Sequence, residues 1–110
     1  MPLTPADVSS KRFKTTKYRP GYNIEDVEAF LRRIEDQLRL LIDEHECLWR
    51  GDTPPLARHL SPADLRSVVF RAGPFRPGYD EGEVDAFLDE AEAEIARRIQ
   101  ENDELRASLR

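Results

Sequence analysis

Cysteine and histidine are scarce in this sequence, which has one cysteine and two histidines in 110 residues. The single thiol, Cys47, cannot form an internal disulfide, and no Cys or His cluster has the spacing of a metal site. Catalysis needs a nucleophile and a base brought together, or paired carboxylates in a cleft, whereas the acids here are expected on surface helix faces. We therefore predict that the chain is not an enzyme and uses no cofactor or metal.

Long apolar runs are also missing. No stretch has the length needed to cross a bilayer, and the first residues, MPLTPADVSSKRF, contain no apolar signal segment. We therefore expect the chain to stay in the cytoplasm. Hydrophobic residues make up 39% and charged residues 35%, which suits amphipathic helices that bury one stripe better than a deep globular core.

An internal repeat is the most informative feature that is present. A shift of 57 positions lays LTPADV (3–8) over LSPADL (60–65), and YRPGY (18–22) over FRPGY (75–79). Between the copies, a glycine and two prolines in GDTPP end the preceding helical pattern. The pattern predicts a first repeat over 1–50, a linker over 51–59 and a second repeat over 60–110.

Each copy predicts the same helical unit. Thr4 and Ser61 precede a proline and are followed three positions later by an acid, which is typical of a capped short helix. A loop with Pro-Gly follows, and Asn23 and Asp80 then repeat the capping pattern, each with an acid three positions on. The predicted fold class is all-α, with two short-helix/loop/long-helix units.

Both long helices carry apolar residues at alternating spacings of four and three, the seam of a left-handed coiled coil. The first seam contains Val27, Leu31, Ile34, Leu38, Leu41, His45 and Leu48. The second seam contains Val84, Leu88, Ala91, Ile95, Arg98, Asn102, Leu105 and Leu109. Exposed seams would leave an apolar stripe in water, so we predict a homo-oligomer.

The linker argues against parallel pairing of the two seams within one chain. Such pairing makes the chain return along a helix of about 37 Å, at 1.5 Å per residue. Residues 51–60 span at most about 33–36 Å when extended. Pairing between chains, or an antiparallel hairpin, is therefore favoured.

The motifs LTPADV, YRPGY and EDVEAFL, with a lone Phe13, resemble the amino-terminal domain of the DivIVA family, and the second copy resembles it more closely. The resemblance implies a parallel dimer whose loops cross at one end. It also implies that an apolar loop-tip residue and its neighbouring Arg enter the cytoplasmic leaflet, here Tyr18 with Arg19 and Phe75 with Arg76. In both copies a proline separates this Arg from Gly-Tyr, and Tyr18 stands where an apolar residue is expected.

The related GpsB family uses the same domain to hold an Arg-bearing peptide in a groove between helices. That resemblance implies a groove formed by Tyr79, Asp85 and Asp89 in the second copy. The first copy has Glu28 and Arg32 at the acidic positions, and Arg32 would repel an incoming arginine.

The charge of the chain, −5 overall, is unevenly distributed. The segment before the first long helix contains cations and no acid: Lys11, Arg12, Lys14, Lys17 and Arg19. These cations fit an anionic membrane surface or simply keep the loop soluble, and without a stacking platform they do not predict nucleic-acid binding. The tip aromatics could equally cover the end of their own helix bundle. The remaining repeated aromatics are predicted to pack between the loop, the short helix and the coil: Phe13, Tyr22, Phe30, Phe70, Tyr79 and Phe87.

Three functions fit these observations. The leading one is a cytoplasmic scaffold or adaptor of bacterial polar growth or cell division, self-associated and peripheral at the inner face of the cell membrane, at a pole or septum. The alternative is a soluble adaptor that binds Arg-bearing peptides of division or cell-wall proteins. The third is a purely structural oligomer that binds neither lipid nor peptide.

Overall fold

The computed structural model describes residues 3–17, 19–73 and 76–109. The first half contains α1 (Pro5–Ser10), β1 (Thr15–Thr16), β2 (Gly21–Tyr22) and α2 (Ile24–Trp49). The second half repeats this order with α3 (Pro62–Ser67), β3 (Ala72–Gly73), β4 (Gly78–Tyr79) and α4 (Glu81–Ser108). The fold is mainly helical, as predicted, and elongated, with extents of 56 × 23 × 19 Å.

The short helices begin as their sequence predicts. Thr4 Oγ1 accepts a hydrogen bond from the Asp7 N–H, and the Asp7 carboxylate accepts one from the Thr4 N–H. Ser61 and Asp64 form the same reciprocal capping box at the start of α3. These bonds satisfy N–H groups that a helix start leaves without partners.

The long helices confirm only half of the predicted capping. Asn23 and Asp80 accept hydrogen bonds from the N–H groups three positions later. The acids at those positions do not bond back to the cap. Asp26 instead accepts the Arg71 N–H, and Glu83 accepts the Lys14 N–H, so each carboxylate binds the loop of the other repeat.

A four-stranded sheet connects the loops, and the sequence did not predict it. Its order is β1-β4-β2-β3, and all three neighbouring pairs are antiparallel. Because β4 lies between β1 and β2, the two loops cross. Strands of two residues show no alternating pattern that a sequence could reveal.

Two glycines make this crossing possible. A Cβ on Gly78 would lie 2.6 Å from the Gly21 carbonyl carbon, and a Cβ on Gly21 would lie 2.9 Å from the Gly78 carbonyl carbon. The backbones therefore approach more closely than any side chain permits.

The two long helices run parallel within one chain, which corrects the preference for pairing between chains or an antiparallel hairpin. Tyr22 pairs with Tyr79 just before the helices begin, and Asn102 near the end of α4 donates to the Leu41 carbonyl oxygen, late in α2. The apolar seam residues are buried inside the chain: Val27, Leu31, Ile34, Leu38, Leu41, Leu48, Val84, Leu88, Ala91 and Ile95. The exposed seams on which the homo-oligomer was predicted are thus absent from the described part of the chain.

Some residues of the predicted seams are not buried between the two helices. His45 is exposed and stacks on Trp49, with ring centroids 6.4 Å apart. Leu105 and Arg98 are half-buried, and Leu109 is exposed. Asn102 occupies its predicted seam position, with 1% of its surface exposed.

The linker is long enough because it returns only part of the way along α2. Gln37, in the middle of α2, donates to the Ala57 carbonyl oxygen and accepts the N–H groups of His59 and Leu60. From the end of α2 to Gln37 is about 18 Å, at 1.5 Å per residue. The rest of the return is covered by α3 and the loop after it, which the sequence estimate did not include.

None of the described helices is long and apolar enough to cross a membrane.

Candidate functional sites at the loop end

Aromatic side chains hold each loop against the other repeat. Phe13 packs on Tyr79 and Phe87, with ring centroids 5.3 Å and 5.8 Å apart. Phe70 makes the equivalent contacts with Tyr22 and Phe30, at 5.1 Å and 5.8 Å. The predicted core role of these aromatics is confirmed. Edge-on and tilted ring pairs add stability beyond their buried area.

Hydrogen bonds and an ion pair fix the same crossing. The Asn23 N–H donates to the Arg71 carbonyl oxygen at 2.7 Å, and the Asp80 N–H donates to the Lys14 carbonyl oxygen at 2.8 Å. The Arg71 guanidinium also donates two bonds to Asp26, at 3.0 Å and 2.8 Å. These bonds from Arg71 lower the pKa of Asp26 to about 2.

Arg19 and Arg76, which follow the two predicted tip aromatics in sequence, lie at the end of the molecule where α2 and α4 begin, because each precedes one of these parallel helices by only a few residues. The predicted inserting residues Tyr18 and Phe75 lie outside the described residues. Arg19 binds Asp80 through a 2.5 Å ion pair, and Arg76 is exposed.

The remaining predicted membrane cations lie in the first loop, between α1 and α2. Lys14 and Lys17 are exposed. Lys11 extends its Nζ over the rings of Phe13 and Phe87, 5.6 Å and 5.4 Å from their centroids. Arg12 donates to the Lys11 carbonyl oxygen at 3.0 Å and lines a cavity beside α1 and α2.

The predicted peptide groove is not assembled as expected. The Tyr79 hydroxyl donates to Glu28 on α2 at 2.8 Å, and it is the Tyr22 hydroxyl that donates to Asp85 on α4, at 2.9 Å. The crossed loops therefore exchange the two tyrosines, and Tyr79 does not share a groove with Asp85 and Asp89. Loop crossing was implied by the family resemblance and could have revealed this exchange.

The first groove lies between α1 and α2 and includes Tyr79 from the second repeat. It encloses a cavity of about 390 Å³. Its lining contains the apolar residues Val8 and Leu31 together with charged and polar ones: Ser9, Lys11, Arg12, Glu28, Arg32, Glu35 and Tyr79.

The equivalent positions, 57 residues later, lie on α3, the loop after it and α4, with Tyr22 in place of Tyr79, and we name this surface the second groove. Asp85 and Asp89 are exposed on α4. Val69, in the loop after α3, is 88% exposed. Burial and the bond to Asp85 raise the pKa of Tyr22 to about 12, so it stays a neutral donor to this carboxylate.

A buried charged cluster at the opposite end escaped the sequence analysis. Glu44 is 4% exposed and accepts from Arg58 of the linker, from Arg106 and from Asn102. Burial raises the pKa of Glu44, but the bonds from Arg106 and Arg58 outweigh it and lower the pKa overall. The cluster joins the linker to both long helices. Within the described ranges, no group of three or more acidic, His or Cys side chains could hold a metal ion.

Comparison with known proteins gives relatives for slightly less than half of the chain. Cell wall synthesis protein Wag31 of Mycobacterium tuberculosis is 52% identical over 51 residues, 46% of this chain and 20% of the relative. Wag31 of Mycolicibacterium smegmatis is 52% identical over 48 residues, 43% of this chain and 18% of the relative. Wag31 of Mycobacterium leprae is 50% identical over 51 residues, 46% of this chain and 19% of the relative.

These relatives support a DivIVA-like domain in the chain. The chain spans about a fifth of the length of the curated relatives that it matches. No family model and no solved structure matches it.

Proposed function

We propose that this chain is a tandem DivIVA-like scaffold of cell-wall synthesis at a bacterial pole or septum, and that its loop end binds the anionic inner face of the cell membrane. The relatives named as cell wall synthesis proteins support the cellular role. The chain's own geometry supports the membrane contact.

The observation that carries this proposal is the position of Arg19 and Arg76, the neighbours of the two tip aromatics, at one end of a single chain. One aromatic ring gains about 1.5–3 kcal/mol on full burial, which is too little for stable anchoring. Two tips on one rigid body bind together, because engagement of the first raises the effective concentration of the second. Parallel pairing within the chain therefore produces a bivalent anchor without a partner subunit.

Cations at this end add an electrostatic contribution. Among the described residues, no ion pair involves Lys14, Lys17 or Arg76. Each cation near an anionic leaflet contributes about 1 kcal/mol, and salt screens this attraction. The tip aromatic Phe75 supplies the part of the binding that tolerates salt.

Co-sedimentation with vesicles of mixed anionic and zwitterionic lipid tests the proposal. Replacing both Lys14 and Lys17 with glutamine should weaken vesicle binding at low salt about 30-fold, because each cation contributes about 1 kcal/mol. Phe75→Ala should remove most of the binding that remains at high salt.

The matched control removes two exposed cations distant from the loop end, with Arg39→Gln in α2 and Arg50→Gln directly after it. Because these residues lie away from the loop end, this variant should bind vesicles as the parent does. Membrane binding is wrong for this chain if the folded parent does not sediment with anionic vesicles, or if the control loses as much binding as the loop variant.

Self-association remains a prediction. It would join folded single-chain units on a membrane or at high concentration, through surfaces other than the buried seams. Several units in one assembly would add further tip pairs and strengthen attachment.

A second candidate function, a peptide adaptor, is favoured by the acidic second groove. Asp85 and Asp89 lie one helical turn apart on α4, and Tyr22 completes the groove. An arginine-bearing peptide should lose binding on Asp89→Arg, which copies the first groove. Arg32→Asp should not weaken that binding, and equal loss in the two variants would contradict this candidate.

A further inference from the structure

The first groove differs from the second in charge, although the helices and strands of the two repeats follow in the same order. Where the second groove has Val68, Val69 and Asp89, the first has Lys11, Arg12 and Arg32. All three replacements put a cation in place of an apolar or acidic side chain.

The acids of the first groove offset only part of this positive charge, because three cations face two carboxylates and one of these, Glu35, is already paired with Arg39. Glu28 accepts the hydrogen bond from Tyr79, and Glu35 accepts one from Arg39 at 2.7 Å. Arg12 and Arg32 are exposed, and no ion pair in the described ranges involves either of them.

The first groove combines apolar and cationic side chains. The apolar side chains of Val8 and Leu31 line a cavity of about 390 Å³, and Arg12 and Arg32 line it as well. Guanidinium groups bind carboxylates through two parallel hydrogen bonds, which a lone ammonium cannot do. We propose that the first groove binds an acidic peptide segment that carries apolar residues between its carboxylates.

A peptide is favoured over a lipid headgroup because the groove lies on the flank, between α1 and α2. The tips that would meet a membrane lie beyond the start of α2. The proposal requires neither membrane contact nor peptide binding by the second groove. Together, the two grooves would let one chain join an acidic segment to a basic one.

Fluorescence anisotropy with a labelled decapeptide tests this assignment. The peptide contains four glutamates and two leucines in a glycine and serine background, and its control replaces each glutamate with glutamine. We expect the glutamate peptide to bind at least about tenfold more tightly, a difference of about 1.4 kcal/mol.

The decisive variant gives the first groove the residues of the second, by Arg12→Val with Arg32→Asp. The equivalent positions of this fold already carry these residues, so the variant should fold, which its thermal melt checks. Binding of the glutamate peptide should fall about tenfold or more. In the single variant Arg32→Gln, binding of the peptide should fall by less. Arg50→Gln removes the same charge just after the other end of α2, and this variant should bind the peptide as the parent does.

Two further arms separate other sources of anion binding. Neutralising Lys14 and Lys17 should leave peptide binding unchanged, whatever it does to vesicle binding. The proposal is overturned if this loop variant loses the peptide while the groove variant keeps it. It is also overturned if anionic vesicles or single-stranded DNA displace the labelled glutamate peptide whereas the same peptide without label does not. Equal binding of the glutamate peptide and its glutamine control would overturn it as well.

Discussion

The two ends of the molecule differ in how closely the second repeat reproduces the contacts of the first. At the loop end, the aromatic contacts and the tyrosine–carboxylate bonds appear twice: Phe13 on Tyr79 corresponds to Phe70 on Tyr22, and Tyr79 with Glu28 corresponds to Tyr22 with Asp85. At the far end, residues 57 positions apart have different surroundings. Glu44 is buried and its equivalent Glu101 is exposed.

The linker explains this difference. It occurs once and packs on one side only, where Arg58 reaches Glu44 at 2.5 Å and Asp103 at 2.8 Å. Glu101 pairs instead with Arg97 on its own helix. The loop end therefore retains the symmetry that two paired chains would have, whereas the far end is adapted to a single chain.

The largest expected effect comes from the glycines of the loop crossing. Gly21→Ala and Gly78→Ala should each destabilise the fold by about 3 kcal/mol, because the added methyl group meets backbone atoms that cannot move aside. Equal losses in denaturant unfolding would confirm the symmetry of this end. In Gly82→Ala the methyl group meets only Asp80 Oδ1, at 3.3 Å, so stability should change little. A tolerated alanine at Gly21 or Gly78 would show that the loops do not cross this closely.

An intermediate effect should separate Glu44 from Glu101. Glu44→Gln removes the carboxylate that three buried or half-buried groups share, and should cost about 2–3 kcal/mol. Glu101→Gln removes a surface ion pair and should cost less than about 1 kcal/mol. Chemical unfolding at neutral pH measures both values. Equal costs would mean that the linker does not break the symmetry of the far end.

The smallest effect concerns acid stability. The folded pKa of Asp26 is lowered from 3.8 to about 2, so its ion pair stabilises the fold above pH 3.8 and is lost as the pH falls toward 2. Asp26→Asn should therefore flatten the decline in melting temperature over this range. Glu83→Gln is the control at the equivalent position, where the bond goes to a backbone N–H. An unchanged decline in Asp26→Asn would exclude the Arg71 pair as its cause.

The sequence predicted the repeated features well, because each rests on local chemistry. Capping by Thr4 and Ser61, the buried apolar residues of the long helices and the aromatic core could all be predicted from residue type and spacing. The exchange of Tyr22 and Tyr79 could not, since the strands that produce it are two residues long. The role of Gln37 was hidden for another reason: a glutamine within a helix gives no sign that a distant linker will bind it.

Parallel pairing of the two repeats within one chain is the central claim, and the mass of the folded protein tests it most directly. Light scattering at low micromolar concentration should give a species of 12.7 kDa. Circular dichroism of the same sample should show the helical content of the folded chain. A folded species of twice that mass, which loses its helices when dilution separates it into single chains, would contradict the claim and place the seams between subunits.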